Sequence, residues 1–221
     1  MNPWSDPGTV AGFVQSPPNA ALLRFAEGER ARGGGVRALD IGCGAARNTL
    51  PLAHAGWDVL GTDISWPMLA AAARRSCGER LPGRLRLAQA AMDRLPLQDR
   101  SVDLIVAHGI WNLARSGEEF RRSVREAARV ARHGAGLFLF TFSRHTLPSE
   151  AEPSAGEAFV FTQFSGQPQC FLTGEQIADE LGRAGFAADA ALPLRELNRP
   201  AAMLRAGSGP VIYEGTYRFT S

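Results

Sequence analysis

Val36-Arg37-Ala38-Leu39-Asp40-Ile41-Gly42-Cys43-Gly44-Ala45-Ala46-Arg47-Asn48 is the stretch on which the fold turns. A short apolar run, long enough for a buried strand, ends in a turn of small residues, and an amphipathic segment follows. The order is strand, tight loop, helix. Gly42 and Gly44 reach backbone angles closed to other residues and carry no Cβ, so a ligand can lie against bare backbone there. In an open α/β sheet such a loop sits beyond the C-terminal end of its strand, where these folds bind ligands. A dinucleotide fingerprint would put a third glycine at position 47, which is Arg47. An ATP-type phosphate loop requires a lysine, and the chain has none. Neither phosphate pattern fits. Asp40, two residues before Gly42, would repel phosphate and suits a ligand with a positive centre or an ammonium group.

The run Leu39-Asp40-Ile41-Gly42-Cys43-Gly44 resembles the first motif of class I S-adenosylmethionine (SAM) dependent methyltransferases, with Ala46 where a third glycine is usual. Arg47-Asn48 is similar to the continuation in tellurite-resistance-type small-molecule methyltransferases, and the chain resembles methyltransferases of types 11 and 25. A glycine-rich turn without a ligand is the plainer reading of this motif alone. Further matches follow in order. The strand Trp57-Asp58-Val59-Leu60-Gly61-Thr62 ends in Asp63, about 20 residues past the first loop, placed to accept hydrogen bonds from both hydroxyls of a ribose. Ser65 caps the next helix, with Pro67 just inside it, which leaves Asp63 free. Ala90-Ala91-Met92-Asp93-Arg94-Leu95-Pro96-Leu97 resembles the family's adenine-binding segment. Ala91 stands where many members carry an aspartate, and Asp93 is a possible substitute. Asp99–Ala107 is similar to the entry into the fourth strand, and 128–136 to the turn into the fifth.

The resemblance implies a SAM site bounded by Asp40, Gly42, Cys43, Gly44, Asn48, Asp63, Ile64, Met68, Ala91, Met92 and the backbone of His108. The product would be S-adenosyl-L-homocysteine. If the acceptor is protonated, methyl transfer also needs a base, and His108 and His145 each stand just past a strand end. Trp111 and Asn112 are candidates to stack or orient the acceptor, and Arg144 to hold an anionic one. The [Asn/Asp/Ser]-Pro-Pro-[Tyr/Phe] motif of many nucleic-acid amino-methylating members is absent after the fourth strand.

Composition narrows the classes. The chain has 221 residues, 45% hydrophobic, with net charge +2. That suits one α/β domain with a proper core. No apolar run nears the ~20 residues needed to span a bilayer, and the N-terminus has no secretory pattern. Cys43, Cys77 and Cys170 form no metal spacing and no disulfide framework, as in a reduced cytoplasm. No metal is expected. Cys43 reads as a small apolar filler of the loop. The arginines are scattered; Arg121, Arg122 and Arg125 lie beside Glu118, Glu119 and Glu126 and read as a solvated helix face, so no nucleic-acid partner is expected.

The remaining pattern gives an extended N-terminal arm over 1–18, whose Trp4 and Phe13 either cap the ligand pocket or pin the arm. A helix over 20–32 is capped by Asn19. Helices follow over 66–76, over 117–132 and after Thr173, and strands over 84–88, 137–142 and 211–219. A loop with Phe159-Val160-Phe161 and Gln163-Phe164 forms either a substrate lid or a flap on the core. The expected architecture is a single domain over 1–221. It comprises an arm and helix (1–32), a SAM-binding core (33–142), a substrate-side insertion (143–172) and a C-terminal part (173–221). The fold is α/β, a Rossmann-like seven-stranded sheet of order 3-2-1-4-5-7-6 with the last strand antiparallel. The expected function is methyl transfer from SAM to a small-molecule acceptor, by a cytoplasmic monomer or homodimer with no membrane partner. The alternatives are methylation of RNA or protein, or a SAM-binding module without catalysis.

Overall fold

The computed structural model describes residues 3–33, 35–81, 83–199 and 209–221. Gly34 and Pro82, the central residues of the two breaks that the sequence suggests at 33–35 and 81–83, lie outside them. β1 (Arg37–Ile41) is buried over its last four residues, as a parallel strand covered on both faces must be. It pairs in parallel with β2 (Asp58–Asp63) on one side and β4 (Val102–His108) on the other. β3 (Leu85–Gln89) extends the sheet beyond β2, and β5 (Ala131–Phe142) extends it beyond β4. β10 (Ile212–Phe219) runs antiparallel to β5 and carries β8 (Phe186–Ala188) on its outer edge. The order β3-β2-β1-β4-β5-β10-β8 is the expected seven-stranded topology. One strand was not legible in the pattern: β9 (Arg195–Leu197) pairs with the start of β10. A separate two-stranded hairpin joins β6 (Val160–Phe161) to β7 (Gln169–Cys170).

Each face of the sheet has its own core. Ala38, Val59, Leu104, Val106 and Phe138 pack with α2 (Ala20–Ala31) and α3 (Thr49–His54). Leu39, Ile41, Ile105 and Leu137 pack with α5 (Gly117–Val130) and α6 (Gly174–Arg183). The caps are those read from sequence. Asn19 accepts from Leu22 N–H, Ser65 caps α4 (Trp66–Ser76), and Thr173 with Gln176 forms a capping box. Arg218 on β10 donates to both carboxylate oxygens of Glu29, at 2.6 and 2.7 Å, and to Asp189. That clamp fixes α2, and with it Asn19 at its first turn.

Three expectations are corrected. The N-terminal arm is not extended: after a short 3-10 turn (Pro3–Ser5) it forms α1 (Pro7–Gln15). The cause is local, because Asp6 accepts from Thr9 N–H at 2.8 Å and Pro7 takes the first helical position, where a missing N–H costs nothing. α5 stops two residues early, at Val130. Ala131 turns extended to pair with Val102, and His133–Ala135 bulge out before the register resumes at Gly136. The glycine loop does not lead straight into a helix. A turn over 44–48 intervenes, and Ala46 holds φ 61 where the family usually has glycine.

Cys43 is an inert filler, as expected. Its thiol is buried, burial holding its pKa well above the usual value, and it rests on Gly61 of β2. A Cβ on Gly61 would come 2.9 Å from Cys43 Sγ. The glycine in β2 is therefore what lets the loop after β1 lie flat on the neighbouring strand.

Candidate functional site

The parallel strands β1, β2 and β4 end at one edge of the sheet, and the loop residues gather there. Gly42 and Gly44 hold φ 68 and 52, a region glycine occupies without strain, and a Cβ on Gly42 would also come 2.6 Å from Ile110 Cδ1. Cys43 N–H donates to Thr62 O at 2.8 Å, which ties the loop to the end of β2. Asp40, the penultimate residue of β1, is buried; its Oδ2 accepts the Thr49 hydroxyl at 2.7 Å. Burial pushes its pKa up to about 7, against the opposing hydrogen bond from Thr49 and the nearby charge of Arg47.

Asp63 ends β2 as expected, but its carboxylate is not free. Oδ2 accepts from Gly44 N–H at 2.9 Å and Oδ1 from Ser65 N–H at 2.8 Å. These bonds fix the plane of the carboxylate across the loop and the start of α4, and each oxygen keeps a lone pair. Burial raises its pKa. Beside it, Ile64 and Trp66 are 62% and 66% exposed, an apolar wall left in solvent at the mouth of the site. Met68 is buried beneath Gly44, and Met92 is half-buried against the core. Ala91 lies in the turn after β3, which Ala90 N–H ties to Asp63 O at 3.1 Å.

Other candidates have different jobs. Asp93 pairs with Arg122 on α5 at 3.2 Å, so it does not replace the missing aspartate at Ala91. Asn48 is buried, and its Oδ1 accepts from Asn19 N–H at 2.9 Å, joining the loop to α2. Arg144 donates to the carbonyl oxygens of Leu147, Pro148, Ser149 and Ala151, and its Cζ lies 4.9 Å from the centre of the Phe161 ring. It holds the segment after β5 together and is not available to an anionic acceptor. Trp111 is a core residue, 6.2 Å from Phe120 in an edge-on contact. Asn112 beside it is buried, and its Oδ1 has no hydrogen-bond partner among the described residues.

His108 is not placed to act as a base. Its ring stacks on Phe140, centroids 4.1 Å apart. Arg47, which has only donors, lies 3.0 Å from Nδ1, so Nδ1 accepts and the ring proton sits on Nε2. Nε2 faces the Asn19 amide nitrogen at 3.3 Å, and that amide donates to Glu214 Oε2 at 2.8 Å. A second proton would have to enter at Nδ1, against the guanidinium. Burial, then Arg47, lower its pKa to about 3.

His145 is placed differently. It lies in the short 3-10 turn after β5 (Arg144–Thr146), with 43% of its side chain exposed. Its Nδ1 is 2.6 Å from Glu196 Oε1 on β9, and the Ser143 hydroxyl donates to the same oxygen. Arg199 approaches the other oxygen at 3.3 Å. Burial pushes the Glu196 carboxyl up, but the bonds from Ser143 and His145 and the Arg199 charge outweigh it and hold it below the usual value. Glu196 was not legible as a site residue, because β9 carries no clear strand signal.

Two segments frame the edge. Phe13 of α1 lies over Gly44, 3.3 Å from where a Cβ would stand, and meets Trp4 edge-on at 5.9 Å. The Ser65 hydroxyl donates to Trp4 O at 2.7 Å. The β6–β7 hairpin behaves mainly as a flap on the core: Phe159, Phe161 and Phe171 are buried, and Phe164 stays 45% exposed at the rim. A groove of ≈ 660 Å³ between α1 and α4 touches none of Asp40, Asp63 or His108, so the strand tips define the site. Among the described residues no cluster of His, Cys, Asp and Glu has the arrangement of a metal site. No helix among them is long and apolar enough to cross a membrane.

This sheet order, with a glycine loop after the first strand and a carboxylate ending the second, is that of Rossmann-like methyltransferases. Residues 39–139 match the family model described as "Methyltransferase domain". That stretch runs from β1 into β5, a little under half of the chain, and over it the chain is similar to the class I SAM-dependent methyltransferases. It is 30% identical over 115 residues to a demethylmenaquinone methyltransferase of Corynebacterium glutamicum, across 52% of this chain and 45% of that one. The chain spans about half the length of the curated relatives it matches at this level. An S-adenosylmethionine dependent methyltransferase from Mesorhizobium loti has the same fold at TM-score 0.66 and 21% identity, covering 90% of this chain and 98% of the other. So has the Burkholderia thailandensis 1,6-didemethyltoxoflavin-N1-methyltransferase, solved with S-adenosylhomocysteine, at TM-score 0.65, 19% identity and 91% and 79% coverage. The residues present fit SAM: a carboxylate fixed at the tip of β2, apolar Ile64 beside it, a carboxylate at the end of β1 and a bare loop between them.

Proposed function

We propose that the protein transfers a methyl group from SAM to a small, largely apolar acceptor that loses a proton in the reaction. The observation that carries the acceptor half of this reading is the His145–Glu196 pair at the tip of β5, on the edge where the glycine loop lies. Bound SAM supplies a methyl group already activated on a sulfonium, so the protein's main task is alignment. Asp63 holds a ribose by its two hydroxyls, Ile64 and Met92 flank an adenine, and Asp40 takes an ammonium group. Glu196 accepts the Nδ1 proton of His145 and so leaves Nε2 as the accepting nitrogen; the Arg199 guanidinium stands 3.5 Å from it and has to swing aside for Nε2 to receive the acceptor's proton. Asn112 Oδ1, without a partner among the described residues, suits a donor on the acceptor. Exposed Phe164, in contact with Phe142 and Phe171, gives the rim an aromatic face for a planar molecule.

Small-molecule acceptors are also what the relatives' names describe, a demethylmenaquinone and a didemethyltoxoflavin. A macromolecular acceptor is less well supported. Arg121, Arg122 and Arg125, the densest basic cluster, are paired with Glu180, Asp93 and Glu118, and no basic face is left over there for phosphates. Transfer of labelled methyl from SAM to a panel of small phenols, thiols and nitrogen heterocycles, with RNA and a protein lysate alongside, tests the reading. The expected result is label on planar small molecules. Label on RNA or protein alone would replace it, and SAM binding with no label anywhere would support a non-catalytic module.

A further inference from the structure

The accepting nitrogen of His145 is covered by a cation. Arg199 spans the His145–Glu196 pair, with Nη2 3.5 Å from His145 Nε2 and Nη1 3.3 Å from Glu196 Oε2. A local turn puts it there. Asn198, the residue after β9, holds φ 63, a left-handed angle that asparagine tolerates better than most side chains, and its amide donates to Pro210 O at 3.3 Å. The pair is loose on one side only. Glu196 is 13% exposed and keeps Ser143 and His145 on its other oxygen, whereas the Arg199 side chain is 60% exposed. The remaining Arg199 donors make no hydrogen bond among the described residues. Parting an ion pair with one partner in solvent costs little.

The neighbouring cations are committed elsewhere. Arg144 gives its donors to four carbonyl oxygens. Arg195 precedes Glu196 on β9, where successive side chains alternate, and it pairs with Glu214. Arg199 also bears on the chemistry. Proton uptake at Nε2 makes an imidazolium 3.5 Å from a guanidinium, a like-charge contact that opposes the uptake. The base therefore works once Arg199 has moved, and a carboxylate, with two oxygens matched to the guanidinium fork, is the kind of group that draws it away.

We propose that Arg199 is a specificity-determining residue, covering His145 Nε2 until an acceptor with its own carboxylate arrives and then binding that carboxylate. This rests on the reading of His145 as the base and narrows the acceptor to a planar acid that also carries a hydroxyl or N–H. The step balances: the acceptor gives its proton to Nε2 and takes the methyl group on the same atom, the sulfonium sulfur keeps the electron pair of the broken bond, and the carboxylate is an unchanged handle.

Ortho-, meta- and para-hydroxybenzoate, each beside its hydroxybenzamide, present one phenol with and without the charge. With labelled SAM, kcat/KM of the wild type should favour the best acid over its amide by on the order of 10- to 100-fold, the worth of hydrogen bonds between charged groups. In Arg199→Gln that ratio should fall to near one, chiefly through a higher KM for the acid. Arg199→Lys should restore part of it, supplying the charge without the fork. The proposal is overturned if the wild type methylates acid and amide equally well or prefers the amide. It is overturned too if Arg199→Gln slows both by the same factor, which would make Arg199 a support of the Glu196–His145 pair only. If the folded wild type binds S-adenosylhomocysteine but labels no acid, amide or neutral phenol, the small-acceptor reading falls and Arg199 with it, a signature distinct from the other two. The wild-type ratio decides the matter even if Arg199→Gln fails to fold.

Discussion

Asp63→Asn should weaken S-adenosylhomocysteine binding at least about 100-fold, because two hydrogen bonds to a charged acceptor, each about 1.5–3 kcal/mol, are weakened or lost at once. The geometry makes the effect sharper than a simple charge deletion. Each oxygen of Asp63 already accepts a backbone N–H, from Gly44 at 2.9 Å and Ser65 at 2.8 Å. An amide must turn its NH2 toward one of those two donors, which releases either the glycine loop or the first turn of α4. The carboxamide is still the better variant than alanine, because alanine frees both. Calorimetry gives the affinity, and a melting curve without ligand separates loss of contact from loss of fold. An Asp63→Asn protein that melts like the wild type and binds with unchanged affinity would remove Asp63 from the site.

The second large effect concerns turnover. His145→Gln should lower methyl transfer to a protonated acceptor by about 10²- to 10⁴-fold, the usual worth of a positioned general base. Binding of S-adenosylhomocysteine should stay as in the wild type, since His145 lies past β5, two strands from the glycine loop. Glu196→Gln should reproduce part of the loss, because Glu196 keeps the imidazole proton on Nδ1. The readout is kcat against KM for the best acceptor of the labelled panel. A soft nucleophile that carries no proton would be insensitive to both changes. Equal kcat in wild type and His145→Gln on a phenol or N–H acceptor would contradict the role.

What was legible in the sequence was what short-range physics decides. Strands buried on both faces read as apolar runs, and the caps at Asn19, Ser65 and Thr173 come from residue types with one strong local preference. The glycine loop and Asp63 were legible because bare backbone and a strand-tip carboxylate are position-specific demands. Even the missed helix α1 had its signal in Asp6-Pro7, overridden by a reading of Pro, Gly and Ser as loop. The roles of Arg144, Asn48 and His108 were not legible, because each depends on a partner brought near by the fold. Arg144 faces four carbonyls of the following segment, Asn48 meets Asn19, and His108 is pinned between Arg47 and Asn19. Glu196 was hidden for the same reason: its histidine is 51 residues away in the chain.

The most direct test of the cofactor site is a calorimetric titration of the wild-type protein with S-adenosylhomocysteine at pH 6 and pH 8, with NADH as the control. Asp40, with a pKa raised to about 7 by burial, is largely protonated at pH 6, and an ammonium group beside it favours the carboxylate. Binding should therefore be saturable at both pH values, tighter at pH 8, and accompanied by proton release at pH 6 that disappears at pH 8, while NADH gives no heat. Failure of the folded protein to bind S-adenosylhomocysteine at either pH, or NADH binding in its place, would contradict the account.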